Sequence, residues 1–163
     1  MNNITLIGMP GAGKSTIGVV LAKVTGYDFA DTDLIIQKQK QKRLQELIDI
    51  YGNDGFKSIE DEVVSSLHFN NTIIATGGSV CYGKNAMSNL KGQSLVVYIK
   101  LSVIELSKRL GDLRERGVVL PEGFTLQDLY NERDPLYREY ADITVETEGL
   151  TIEESVNLIR QKI

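Results

Sequence analysis

Residues 8–15, Gly8-Met9-Pro10-Gly11-Ala12-Gly13-Lys14-Ser15, fill every fixed position of the pattern G-x-x-x-x-G-K-[ST]. The octet follows the short apolar run Ile4-Thr5-Leu6-Ile7 and precedes a helical pattern from Lys14 to Lys23. A strand, a glycine-rich turn and a helix in that order allow successive backbone N–H groups to point inward at phosphate oxygens. The helix N-terminus adds a favourable partial positive charge. Gly11, Ala12, Gly13 and Thr16 are read as the cradle, Lys14 as the cation on the outer phosphates, and Ser15 as a Mg²⁺ ligand. The pattern therefore demands an α/β fold with a nucleoside triphosphate at one end.

The rest of the chain keeps that alternation. Thr72–Ala75, Leu95–Ile99 and Ile143–Val145 read as buried strands, and Tyr27–Ala30 as a weaker fifth. Helical patterns run over Asp33–Tyr51 with breaks, Ile59–Leu67, Val103–Leu110 and Leu126–Tyr140, and a last helix starts at Thr151, with Glu154 at capping-box spacing. Such alternation predicts a parallel sheet covered by helices on both faces. Two segments exceed it. Residues 33–67 hold more helix than one crossover needs, and 111–124 are punctuated by glycine and proline like a functional loop.

Size and charge narrow the function. At 163 residues the chain is a single domain, without room for the extra layers of a motor. The base-reading N-K-x-D signature of GTPases is absent. A formal net charge of -4 argues against nucleic acid or an anionic membrane as the partner. The single cysteine, Cys81, allows no internal disulfide and suits a reducing compartment. No apolar run approaches the roughly 20 residues that span a bilayer, and no secretory leader is visible. The expectation is a cytoplasmic monomer acting on a small molecule.

Asp31-Thr32-Asp33 follows the second strand, and ligands of parallel sheets sit outside the carboxyl ends of strands. One carboxylate can serve Mg²⁺ and the other an acceptor hydroxyl. Spacing alone leaves Asp33 equally readable as the cap of the next helix.

Taken together, the loop, Asp31-Thr32-Asp33, Phe56-Lys57-x-x-Glu60, Ala75-Thr76-Gly77-Gly78-Ser79 and Arg133-Asp134-Pro135-Leu136-Tyr137 have the order and spacing of the shikimate kinase family, which the chain resembles over nearly its whole length. The resemblance implies a three-layer P-loop kinase fold. Its parts would be a five-stranded parallel sheet, a helical substrate-binding insertion at 33–60 and a lid at 111–124. It also implies ATP-dependent phosphorylation of a small carboxylated alcohol, first of all shikimate to shikimate 3-phosphate. Ser15 and Asp31 resemble the family's Mg²⁺ partners, and Asp33 the carboxylate that orients or deprotonates the acceptor hydroxyl. Gly77 and Gly78 resemble the backbone that approaches the substrate, and Arg133 the arginine on its carboxylate. Arg109 and Arg116 keep the spacing of an arginine beside adenine and a lid arginine.

This chain departs from the family on the acceptor side. Lys57 stands where the family has arginine, Ser79 where it has a third glycine, and Arg116-Gly117-Val118-Val119-Leu120 where the lid usually reads Arg-Pro-Leu-Leu. Lysine keeps the charge but loses the planar fork that grips a carboxylate. Two alternatives stay open: a same-fold kinase for another polyol, hydroxy acid or nucleotide, and a nucleotide-binding regulatory module without catalysis. The basic run Lys38, Lys40, Lys42 and Arg43 reads as a solvated face, His68 as a surface residue, and Cys81 as a packing residue.

Overall fold

The computed structural model describes residues 2–110 and 117–163. Five short strands form one parallel sheet: β1 (Asn3–Ile7), β2 (Asp28–Asp31), β3 (Thr72–Ala75), β4 (Ser94–Lys100) and β5 (Ile143–Glu146). Their order is β2-β3-β1-β4-β5. Thr5 pairs with Ile74 on one side and with Val96 on the other, so β1 is central. β1 and β3 are buried along their whole length, as continuous apolar strands of a doubly covered sheet must be. All five sequence-predicted strands are present, within a residue or so at each end.

Among the described residues seven α-helices cover the sheet: α1 (Lys14–Thr25), α2 (Thr32–Lys40), α3 (Leu44–Ser65), α4 (Lys84–Gln93), α5 (Val103–Arg109), α6 (Leu126–Tyr140) and α7 (Ile152–Lys162). Thr151 and Glu154 cap α7 reciprocally, as their spacing predicts. The order of β1 against its neighbours matters for function. The chain leaves β1 for β2 and β3 on one side, then returns past it to β4 and β5 on the other. That reversal opens a crevice beyond the carboxyl end of β1.

Three local expectations need correction. The helical pattern expected to stop at Tyr51 and resume at Ile59 instead continues from Leu44 to Ser65, bent at Gly52 (φ 74°). Residues 53–58 are therefore helical and place Phe56, Lys57 and Glu60 on one element. Helix α4 escaped the sequence reading because Asn85, Ser88, Asn89 and Gly92 are poor helix formers. Tertiary contacts supply what propensity lacks. Asp61 of α3 accepts from the backbone N–H of Ala86 (2.7 Å), and Asn89 donates to the carbonyls of Val64 and Leu67. Finally, the cap of α2 is Asp31, whose Oδ1 accepts the N–H of Asp33 at 2.9 Å. Asp33 is released from that duty.

The basic run, His68 and Cys81 lie where their sequence context predicts. Lys38, Lys40, Lys42 and Arg43 are exposed, and so is His68. Cys81 is buried against the core, and burial pushes its thiol up to about 12. Among the described residues, no helix is long and apolar enough to cross a membrane.

Candidate active site

A cavity of about 390 Å³ lies beyond the carboxyl ends of β1 and β3. One wall is the glycine-rich loop, with Gly11, Gly13, Lys14, Ser15 and Thr16, joined by Arg109 from the end of α5. Gly13 takes φ 92° at the entrance to α1, a left-handed conformation that lets the loop swing its N–H groups inward. Ala12, also in the loop and read as part of the cradle, is buried and does not line the cavity. Lys14 is folded back: its Nζ donates to the carbonyls of Gly8 (2.6 Å) and Met9 (2.8 Å). Burial lowers its pKa to about 8, despite the pull of Asp33 and Asp31. The ammonium is thus held dry and short of negative charge. Ser15 Oγ donates to Asp31 Oδ2 at 2.9 Å, a pair of hard oxygens beside the N-terminus of α1.

The opposite wall carries Asp33, Gly77, Gly78, Ser79 and Arg133. A Cβ on Gly77 would fall 2.5 Å from Asp33 Oδ1 and 3.0 Å from Glu60 Oε2. Any larger residue there would push the Asp33 carboxylate aside. Gly78 is pinned by Tyr137, whose hydroxyl donates to its carbonyl at 2.5 Å. Arg133 is almost fully buried; its Nη2 donates to the Val119 carbonyl at 2.9 Å and its Nε to the Tyr82 hydroxyl at 3.3 Å. Burial and the neighbouring Asp31 charge raise Asp33 to about 6, against the opposing influence of Lys14. Burial, with Asp33 nearby, raises Glu60 further, to about 8.

The structure thus brings together eleven of the residues singled out from the sequence on one cavity. Asp31 reaches it through Ser15. Lys57 does not line it; its Nζ sits over the Tyr82 ring, 4.0 Å from the centroid. Arg116, with the rest of 111–116, lies outside the described residues. Beyond them, Gly117, Val118 and Val119 form part of the cavity roof. Asn53 donates to the Leu120 carbonyl at 3.3 Å, tying that roof to α3.

A family model described as shikimate kinase matches residues 10–163. The chain belongs to the shikimate kinase family. A shikimate kinase from Francisella tularensis subsp. holarctica is 37% identical over 161 residues, covering 96% of this chain and 92% of the relative. One from Legionella pneumophila is 36% identical over 162 residues, covering 98% and 93%. Among solved structures, a shikimate kinase from Acinetobacter baumannii in complex with shikimate superposes with a TM-score of 0.84 at 29% identity, covering 99% of this chain and 92% of that one.

Against that family background, three contributors to the acceptor wall went unassigned in the sequence. Glu60 stood inside a recognised motif, yet an acid on a helix gives no sign that it will be buried. Tyr82 belongs to no motif, and Tyr137, like Tyr130 and Tyr140 on the same helical segment, reads as a packing residue, yet the Tyr82 hydroxyl binds Arg133 and that of Tyr137 binds Gly78. Only the fold reveals these pairings, because each joins residues more than fifty positions apart in the chain.

Proposed function

We propose that this protein transfers the γ-phosphoryl group of ATP to a hydroxyl of shikimate, giving shikimate 3-phosphate. One observation carries the reading: a single cavity joins the phosphate cradle to a carboxylate, Asp33, and a buried arginine, Arg133. A kinase for a hydroxylated carboxylic acid needs those two groups at that end. The residues 33–60 would serve as the acceptor-binding insertion and 111–124 as the lid.

On this reading the backbone of Gly11–Thr16 cradles the phosphates, and Lys14 turns from the Gly8 and Met9 carbonyls to the outer ones. Ser15 and Asp31 suit Mg²⁺, which takes one or two protein oxygens and completes its shell with phosphate and water. When bound there it supplies charge neutralisation between the outer phosphates. Asp33 accepts a hydrogen bond from the attacking hydroxyl and takes its proton as the phosphoryl group transfers. The N–H groups around Gly77 and Gly78 position the acceptor ring. Arg133 pairs with its carboxylate, and Arg109 and Arg116 add positive charge toward the nucleotide and the transferring phosphate. The roof formed by Gly117–Val119 keeps water from the γ-phosphate. A soluble monomer suffices for all of this.

The test is ADP release coupled to a second reaction, run with shikimate and a panel of small alcohols and hydroxy acids. Release that requires both Mg²⁺ and shikimate supports the proposal. A strong signal with another alcohol and none with shikimate overturns the acceptor.

A further inference from the structure

Two of this chain's departures from the family pattern, Lys57 and Ser79, meet in one network of contacts behind the acceptor wall. Glu60 is 2% exposed and stands on α3 one helical turn after Lys57, within reach of a cation there. Its bond goes elsewhere. Ser79 Oγ donates to Glu60 Oε1 at 2.5 Å, while Oε2 is buried behind Gly77 with no partner among the described residues. Lys57 instead rests on the Tyr82 ring. The Tyr82 hydroxyl accepts from Arg133 Nε and donates to Glu132 Oε1 at 2.5 Å. Arg133 also lies over that ring, 5.3 Å from its centroid.

A buried carboxyl with one bare oxygen can ill afford to lose the partner of the other. Were position 79 glycine, both oxygens of Glu60 would lack a donor among the described residues, leaving them the charge of Arg133 and, one helical turn back on the same helix, the cation at position 57. We infer that Ser79 and Glu60 form a positioning pair in which the serine hydroxyl stands in for a cation at position 57. Lys57 is thereby left to brace Tyr82 and, through it, Arg133. The two departures are one linked change. The pair holds the Gly77–Ser79 backbone from behind, so it acts on acceptor binding and not on the nucleotide. This inference rests on the acceptor wall proposed above.

The experiment is a double-mutant cycle on the full chain: wild type, Ser79→Gly, Lys57→Arg and the double variant. KM for shikimate and for ATP are measured separately. Ser79→Gly is expected to raise the KM for shikimate by about tenfold, the cost of losing one hydrogen bond at a buried group, whereas Lys57→Arg alone, which keeps the charge over the Tyr82 ring, should change it by less than about threefold. The KM for ATP should stay within about twofold. In the double variant the arginine regains Glu60, and the KM for shikimate should return to within about threefold of wild type. Ser79→Ala replaces Ser79→Gly if the latter does not fold. Single effects that multiply in the double variant, or that fall equally on ATP, overturn the pair. If wild type releases ADP with a different alcohol, the same cycle is read with that alcohol, so the acceptor assignment can fail while the pair stands. If no acceptor works, thermal melts of the four proteins decide. Non-additive shifts support the pair, and additive shifts overturn it.

Discussion

The two walls of the cavity are made in different ways. The loop wall comes almost wholly from residues 8–16, one uninterrupted glycine-rich stretch that ends in the side chains of Lys14, Ser15 and Thr16. The acceptor wall is assembled from the start of α2, the middle of α3, the turn after β3 and the body of α6, and its working parts are side chains. Their electrostatics differ as well. The loop wall holds a buried cation whose burial outweighs the pull of Asp33 and Asp31, whereas the acceptor wall crowds Asp33 and Glu60 around one glycine. A backbone site is specified by a short motif and tolerates change everywhere else. A side-chain site tolerates change only in matched sets. That difference fits a chain that keeps the loop motif at every fixed position yet carries Lys57 and Ser79 where the resemblance leads one to expect arginine and glycine.

The strongest way to break the comparison is Lys14→Ala. No other described side chain of the loop wall places a cation at the Gly8 and Met9 carbonyls, so kcat should fall by about a thousandfold. The unliganded protein should not lose stability at pH 7. The folded pKa of Lys14 lies near 8, below its unfolded value, so below pH 8 the native state carries the full cost of burying a charge. Removing the ammonium relieves that cost. An activity assay and a thermal melt on the same sample check both halves. A large drop in Tm would show that the ammonium stabilises the loop instead of waiting for phosphate.

Asp33→Asn probes the opposite wall and should lower kcat by about a hundredfold, with KM for ATP nearly unchanged. The geometry makes this clean. Asp31, not Asp33, caps α2, so the helix start survives the substitution. A variant with unchanged kcat would leave the acceptor hydroxyl without its proposed base.

How far the sequence foretold the molecule follows the same division. The strands and the loop were legible, because β-branched runs and a fixed glycine spacing are local signals. Helix α4 was not, since Asp61, Asn89 and the core hold it in place against weak propensity. Likewise, Lys14, Ser15 and Asp33 could be named from motifs. The bond from Ser79 to Glu60 could not, because a carboxylate on a helix surface and one in the core look alike until the helix is packed. Lys57 shows the limit most directly: its motif position suggested the cavity, and the Tyr82 ring claimed it.

The smallest effect sharpens the contrast through stability. Glu60 is held by burial well above the ordinary carboxyl value, near 8, and Asp33 near 6. In such groups the native state binds more protons than the unfolded chain between the unfolded and folded pKa values. Stability therefore falls as pH rises through that window. Between about pH 4.5 and 6 both acids contribute. From about 6 to 8 Glu60 acts alone among them, at up to ~1.4 kcal/mol per pH unit. Glu60→Gln keeps a carbonyl oxygen for Ser79 but cannot ionise, so it should flatten the upper part of the curve and leave the lower part sloping. For a chain of this size the change is about 2–4 °C in Tm per kcal/mol, within reach of melts taken at half-unit intervals from pH 5 to 8. The loop wall predicts the opposite sign at higher pH, where Lys14 loses its proton more readily in the folded than in the unfolded chain and stability climbs above about pH 8. A minimum near pH 8 in wild type, missing its acidic limb above pH 6 in Glu60→Gln and its alkaline limb in Lys14→Ala, would assign one limb to each wall. A single curve shared by all three proteins would mean that neither buried group governs the stability of the unliganded site.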